Sequence, residues 1–116
     1  MFAIPLTMGF ADKDRRLTHY GDHGADFGTI TVHEYERLAD NFLGKPKPAT
    51  ARDCIRRDGD MVRYDRATNE LGILSSAKVI RTYFRPTFCW AATPAQRARG
   101  KCHKQGSHDA YARKLC

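Results

Sequence analysis

No stretch of this 116-residue chain reaches the roughly 18 consecutive apolar residues that a membrane-spanning helix needs. The opening Met1–Phe10 is apolar, but it lacks a basic leading segment and Pro5 interrupts it, so it reads as an ordinary terminus rather than a signal peptide. Stable membrane insertion is therefore not expected. None of the four cysteines lies in a C-x-x-C pair, and Cys102, His103, His108 and Cys116 match no usual zinc spacing, so no metal site is expected. Also missing are a G-x-x-x-x-G-K-[ST] phosphate loop, a dinucleotide fingerprint followed by a βαβ unit, an H-E-x-x-H helix and a G-x-S-x-G nucleophile elbow. Paired carboxylates of the glycosidase type are not indicated either. These absences argue against nucleotide-cofactor enzymes, metalloproteases and serine hydrolases. Acidic residues are scarce beside basic ones: 13 Asp and Glu stand against 20 Lys and Arg, a formal net charge of +7. Such a balance attracts polyanions, nucleic acid first among them.

What is present fits a single globular domain over residues 1–116, expected to be monomeric. The chain is 41% hydrophobic and 28% charged, too rich in apolar residues for wholesale disorder, and it shows no internal repeat or linker. Basic residues cluster at Lys13, Arg15 and Arg16, at Arg56, Arg57 and Arg63, and at Arg97, Arg99, Lys101 and Lys104. Gathered on one face they would neutralise several phosphates and give salt-sensitive binding; a solvated basic surface without a partner is the alternative. Cys54, Cys89, Cys102 and Cys116 permit two disulfides in three connectivities, which would staple the C-terminal segment in an oxidising compartment. Buried free thiols are the other reading.

Helices precede strands. A short basic helix is expected from Ala11 to Thr18, followed by a glycine-rich turn. A clearer helix runs from Thr31 to Leu43: Thr31 and Glu34 form a capping-box signature, Val32, Tyr35, Leu38, Ala39, Phe42 and Leu43 recur at helical spacing, and Gly44, Pro46 and Pro48 stop it. His33 lies off that apolar stripe and reads as a surface residue. From Ala51 the period becomes two, with strands expected at Ala51–Arg57, Met61–Asp65, Leu71–Leu74 and Val79–Phe84. The turns between them are short, which predicts an antiparallel meander. The fold class is thus α+β, with N-terminal helices on a small twisted sheet and a C-terminal extension. One sheet face would carry the Thr31 helix and the other would be open to ligand. Residues 87–105 show no period, and a short helix is expected from Asp109 to Leu115.

The segment His19-Tyr20-Gly21-Asp22-His23-Gly24-Ala25-Asp26-Phe27-Gly28 places two imidazoles four residues apart among three glycines. Glycines permit tight bends and close approach of a ligand, and histidine moves protons near neutral pH. Asp22 and Asp26 are expected to cap the turn or the helix rather than transfer protons. Two histidines, many arginines and a basic surface suit phosphodiester transfer within RNA. A base takes the 2′-hydroxyl proton, an acid protonates the departing 5′-oxygen, and cationic or hydrogen-bonding groups stabilise the phosphorane. No metal or cofactor is required for that chemistry.

The residues His23-Gly24-Ala25-Asp26-Phe27-Gly28, Glu34-Tyr35-Glu36 with Phe42-Leu43, Arg63-Tyr64-Asp65, Thr68-Asn69-Glu70-Leu71-Gly72 and Ile80-Arg81-Thr82-Tyr83-Phe84 follow one another in an order that resembles the toxin nucleases of the barnase/EndoU/colicin/RelE fold. Within that fold the chain is similar to the tRNA-cleaving domains of the colicin D type and to C-terminal domains of contact-dependent inhibition toxins. The resemblance covers roughly residues 13 to 86. It implies that His23 is a general acid/base and that the Thr82 hydroxyl contacts the scissile phosphate. Arg63 and Arg81 would bind or polarise phosphate. The lysines flanking the colicin D histidine are replaced by Tyr20 and Asp22, and His19 is the candidate for the second catalytic group. Lys13, Arg15, Arg16 and Tyr83 are candidate RNA contacts; Tyr83 and Trp90 have core packing as their alternative. His103, His108 and Tyr111 lie beyond the resemblance.

Strand alternation puts Thr82 with Ile80 and Phe84 on one face and Arg81 with Val79 and Tyr83 on the other, so a bulge or the strand end must re-aim one of the two if both serve one site. The resemblance further implies a metal-independent tRNase used in interbacterial competition. Such a domain is secreted or delivered from a cell surface, acts in the cytoplasm of a target bacterium and is held in check by an acidic immunity protein. A non-catalytic module that binds nucleic acid through its basic face is the alternative, and a metal-dependent DNase the third reading.

Overall fold

A computed structural model describes residues 6–116 of the chain. The Met1–Phe10 reading therefore falls in part on residues 1–5, outside the described residues. The first helix, α1 (Lys13–His23), leads through a 3₁₀ turn (Gly24–Phe27) to α2 (Val32–Gly44). Four strands follow, β1 (Ala51–Ile55), β2 (Met61–Asp65), β3 (Glu70–Leu74) and β4 (Ile80–Phe84). A 3₁₀ turn (Cys89–Ala91), the short α3 (Pro94–Ala98) and α4 (His108–Leu115) complete the chain. The strands form one antiparallel sheet in the order β1-β2-β3-β4. The α+β class and the meander are as the patterning predicts. Among the described residues no helix is long and apolar enough to cross a membrane.

The α2 capping box forms both of its hydrogen bonds, Thr31 Oγ1 accepting from the Glu34 N–H and the Glu34 carboxylate from the Thr31 N–H. Tyr35, Ala39 and Leu43, spaced by four, are buried along its inner face. They pack with Phe10, Leu74, Ile80 and Tyr83 into a core on one side of the sheet. His33 is exposed, as its position off the stripe predicts.

The opposite face is not open to ligand. There α4 lays Ala112 against Val62, Tyr64, Leu71 and Ile73, with Tyr111 and Leu115 at the margin. A Cys54–Cys116 disulfide ties the end of α4 to β1, and Tyr64 donates to Asp109 at its start over 2.6 Å. The eight-residue helix covers the sheet because it is fastened at both ends; alone it is too short to persist. A second disulfide, Cys89–Cys102, closes the loop containing α3, so the free-thiol reading is overturned. Thr93 and Gln96 form a capping box around Pro94 that starts α3, an element the weak periodicity of residues 87–105 conceals.

Helix α1 outlasts its expected end at Thr18 and runs through Gly21 to His23. A helical glycine costs about 1 kcal/mol. Offsetting packing comes from His19 stacked on Phe10 at 5.4 Å and Tyr20 set against Tyr35 at 6.0 Å. Both sheet faces are covered, and β1 and β4 are the two edges; Phe10 bridges to Ile80 at the start of β4, and α1 packs along the same strand.

That margin carries a β-bulge. Thr82 pairs with Ile73 while Ile80 pairs with Leu74, which leaves Arg81 as the extra residue. In consequence Ile80 and Tyr83, three residues apart, both enter the core under α2.

Candidate active site at the β4 edge of the sheet

Because His19 and His23 are one helical turn apart, both project from the side of α1 that meets β4. Their rings stack at 6.0 Å, and the His19 Nδ1 lies 3.4 Å from Thr82 Oγ1. The row of rings continues: His23 stacks on Phe84 at 5.0 Å, Phe84 meets His103 at 6.0 Å, and His103 stands edge-on to Tyr111 at 4.2 Å. Three histidines from two ends of the chain are thereby aligned along one strand.

Around this row lies a cleft of about 670 Å³. Its first wall is the end of α1 with the 3₁₀ turn, including Asp22, His23 and Asp26; its floor is the end of β4, with Phe84 and Arg85; its far wall holds Lys101, His103 and Tyr111. The His-Gly-Ala-Asp-Phe-Gly stretch builds the first wall. A side chain at Gly24 would start 2.7 Å from the Tyr20 ring, and Gly28 has φ of +90°, a left-handed conformation that favours glycine. Asp26 accepts from the Arg85 N–H at 3.2 Å, and Arg85 Nη1 donates to the Asp26 carbonyl at 3.3 Å. Asp26 thus fastens the turn to the strand instead of capping α1, and its carboxylate sits 3.9 Å from His23 Nδ1, a partner for the protonated ring.

Burial, with the neighbouring His23 adding to it and Asp22 opposing, holds His19 below the ordinary histidine value. Burial and Lys114 do the same for His103. Both imidazoles are therefore neutral at pH 7 and able to accept a proton.

His19 touches both His23 and Thr82, and of these three only His23 lines the cleft. The other candidates are placed elsewhere. Arg63 is buried, with Nε 2.8 Å from Asp53 Oδ1, Nη2 3.0 Å from Asp53 Oδ2, and Nη1 donating to the carbonyls of Phe42 and Lys45. Its donors tie β2 to β1 and close the C-terminal end of α2, which leaves nothing for phosphate. Arg63→Ala is expected to cost about 3 kcal/mol, because Asp53 and two helix-end carbonyls lose their partner. Urea denaturation reads that loss; full stability with lost activity would return Arg63 to the site. Arg81, turned by the bulge, binds the buried Asp60 at 2.6 Å and does not line the cleft. Tyr83 is 1% exposed and donates to Glu70, so it is a core residue and no stacking platform for RNA. Trp90 has the opposite fate: it is 69% exposed, lying over Phe88.

Lys13, Arg15 and Arg16 sit at the start of α1, about 10–15 Å along the helix from His23. Arg15 pairs with Asp12 and Arg16 with Glu36. Lys13 and Arg16 line a separate groove of about 1020 Å³ between α2 and the segment before α1. His108 Nε2 is 2.7 Å from Asn69 Oδ1, away from the row.

Phe84, Arg85 and Lys101 escaped the sequence reading as site residues, and His103 and Tyr111 stood outside the resemblance. The one local hint was His103 beside Cys102, a position that a disulfide would make rigid. No protein-family model matches the chain, and no curated protein matches it significantly.

Proposed function

We propose that the cleft is the active site of a metal-independent endoribonuclease, a toxin domain of the barnase/EndoU/colicin/RelE type that cuts tRNA and leaves a 2′,3′-cyclic phosphate. The observation that carries this reading is the setting of His23. Its ring lines a cleft that also holds the cationic Arg85 and Lys101 and a second imidazole, His103, while His19 stacks on it at 6.0 Å. Phosphodiester transfer to a neighbouring 2′-hydroxyl asks for those parts: one group to take a proton, one to give it, and positive charge where the phosphorane forms. His23 is one member of the proton-transfer pair. The net charge of +7 adds long-range attraction for RNA.

Both disulfides suit a domain that passes through an oxidising compartment, secreted or delivered from a cell surface before it acts in the cytoplasm of a target bacterium. A producer of such a nuclease needs an acidic immunity protein over the cleft, and opposite charge would speed that association.

The test is incubation of the purified chain with total bacterial RNA in excess chelator. Discrete tRNA fragments ending in 2′,3′-cyclic phosphate are expected. Intact RNA held in a salt-sensitive complex would overturn the enzyme reading in favour of a binding module, and cleavage that returns only with added divalent cation would mark a metal-dependent nuclease.

A further inference from the structure

We propose that the proton-transfer partner of His23 is His103, contributed by the disulfide-closed C-terminal segment, and that His19 is a positioning residue. This rests on the ribonuclease reading above and assigns its second catalytic group.

The cleft is lined by His23 and His103 but not by His19. His19 is occupied on each side: Phe10 covers its ring at 5.4 Å, His23 stacks at 6.0 Å, and its Nδ1 faces the Thr82 hydroxyl. A ring so enclosed orients its neighbours. His23 and His103, by contrast, both line the cleft and both lie against the Phe84 ring, at 5.0 and 6.0 Å.

His103 is also held more firmly than a loop histidine without a role would need to be. Its N–H donates to the Thr87 carbonyl at 2.7 Å and its carbonyl accepts from the Cys89 N–H at 2.8 Å, a parallel bridge with the chain at Phe88. The next residue back, Cys102, is bonded to Cys89. Tyr111 of α4 stands edge-on to the ring and Phe88 closes a further side at 6.4 Å. Preorganisation of this kind is what acid/base catalysis requires of its groups. The charged groups toward it are Lys114 of α4 and, in the cleft, Lys101, Arg85, His23, Asp22 and Asp26. Burial and Lys114 hold the His103 ring below the ordinary histidine value, which suits a base, and His23 has the Asp26 carboxylate 3.9 Å from its Nδ1.

In the step, neutral His103 accepts the 2′-hydroxyl proton as the 2′-oxygen to phosphorus bond forms. The bond from phosphorus to the 5′-oxygen breaks, and imidazolium His23 gives its proton to that oxygen. Arg85 and Lys101 balance the charge of the phosphorane. Solvent exchange then restores both rings.

The experiment measures kcat/KM on bulk bacterial tRNA between pH 5 and 8 for the parent, His103→Ala, His103→Gln and His19→Ala. Both His103 variants are expected to fall by about 10²–10⁴-fold and to lose the low-pH limb, which in the parent lies below the ordinary histidine value of 6.5. Added imidazole is expected to restore part of the His103→Ala rate, which a misfolded variant would not show. His19→Ala is expected to stay within about tenfold of the parent and to keep the limb, since it removes a support and not a proton carrier. A His103→Gln protein with parental melting temperature and near-parental rate overturns the assignment, as does loss of the limb in His19→Ala. A parent that leaves tRNA intact fails earlier and separately, at the ribonuclease reading itself.

Discussion

His23→Ala is expected to lower tRNA cleavage by about 10²–10⁴-fold while leaving RNA binding and folding close to those of the parent. The chemical loss is large because a positioned proton-transfer group has no substitute in the cleft: Asp26 is engaged by Arg85, and His19 is not part of the lining. The structural loss is small because the His23 side chain is 30% exposed and makes one ring contact each with His19 and Phe84. Binding persists because Arg85, Lys101 and the overall positive charge remain. Cleavage rate, filter retention of labelled tRNA at two salt concentrations and a thermal melt separate these quantities. A variant that cuts at the parental rate would remove His23 from the mechanism. Parallel loss of binding and cleavage would mean that the histidine acts by holding RNA.

Removing the Cys54–Cys116 bridge, by Cys54→Ser with Cys116→Ser, is expected to cost about 4 kcal/mol. The two cysteines are 62 residues apart in sequence, so the bridge restricts a long loop of the unfolded chain. Its native-state role is equally specific. Helix α4 has eight residues, too few for a stable isolated helix, yet it supplies the cover for Val62, Tyr64, Leu71 and Ile73 and the Tyr111 edge against His103. Without the bridge it is held by the Tyr64 to Asp109 and His108 to Asn69 hydrogen bonds, the exposed Arg66–Asp109 ion pair and the apolar contacts. Urea titration of the oxidised parent and the double variant gives the difference directly. A loss below about 1 kcal/mol would show that the unfolded chain gains little freedom and that packing alone retains α4. A fall in activity larger than the unfolded fraction explains would indicate that α4 loosens its hold on the His103 wall before the domain unfolds.

Local and periodic signals were legible in the sequence. The Thr31 and Glu34 pair begins α2, the apolar residues at helical spacing bury its inner face, and the period-two segments form a meander whose short turns leave no other strand order. His19 and His23 could be named as neighbours because one helical turn separates them, even though the helix carrying them was expected to stop at Thr18. What sequence spacing could not decide was which side chains face solvent and which are spent on the fold. Arg63, Arg81 and Tyr83 have the residue types of a phosphate or RNA site, yet Asp53, Asp60 and Glu70 claim them. Each of these partners lies on another strand or beside one, so the claim exists only once the register is set.

The sequence by itself determined the α+β class, the capped helix, the positive charge and the existence of a histidine segment, because each depends on residues within one or two turns of one another. Tertiary structure alone decided where a ligand could lie. It covered the sheet face that was expected to be open, used a bulge to turn Arg81 away from the cleft, and brought His103 against the same Phe84 ring as His23. The reason is the range of the interactions. Propensity and capping act locally along the chain, whereas burial, ion-pair choice and disulfide closure join residues that become neighbours only when the sheet and its two covering helices have formed.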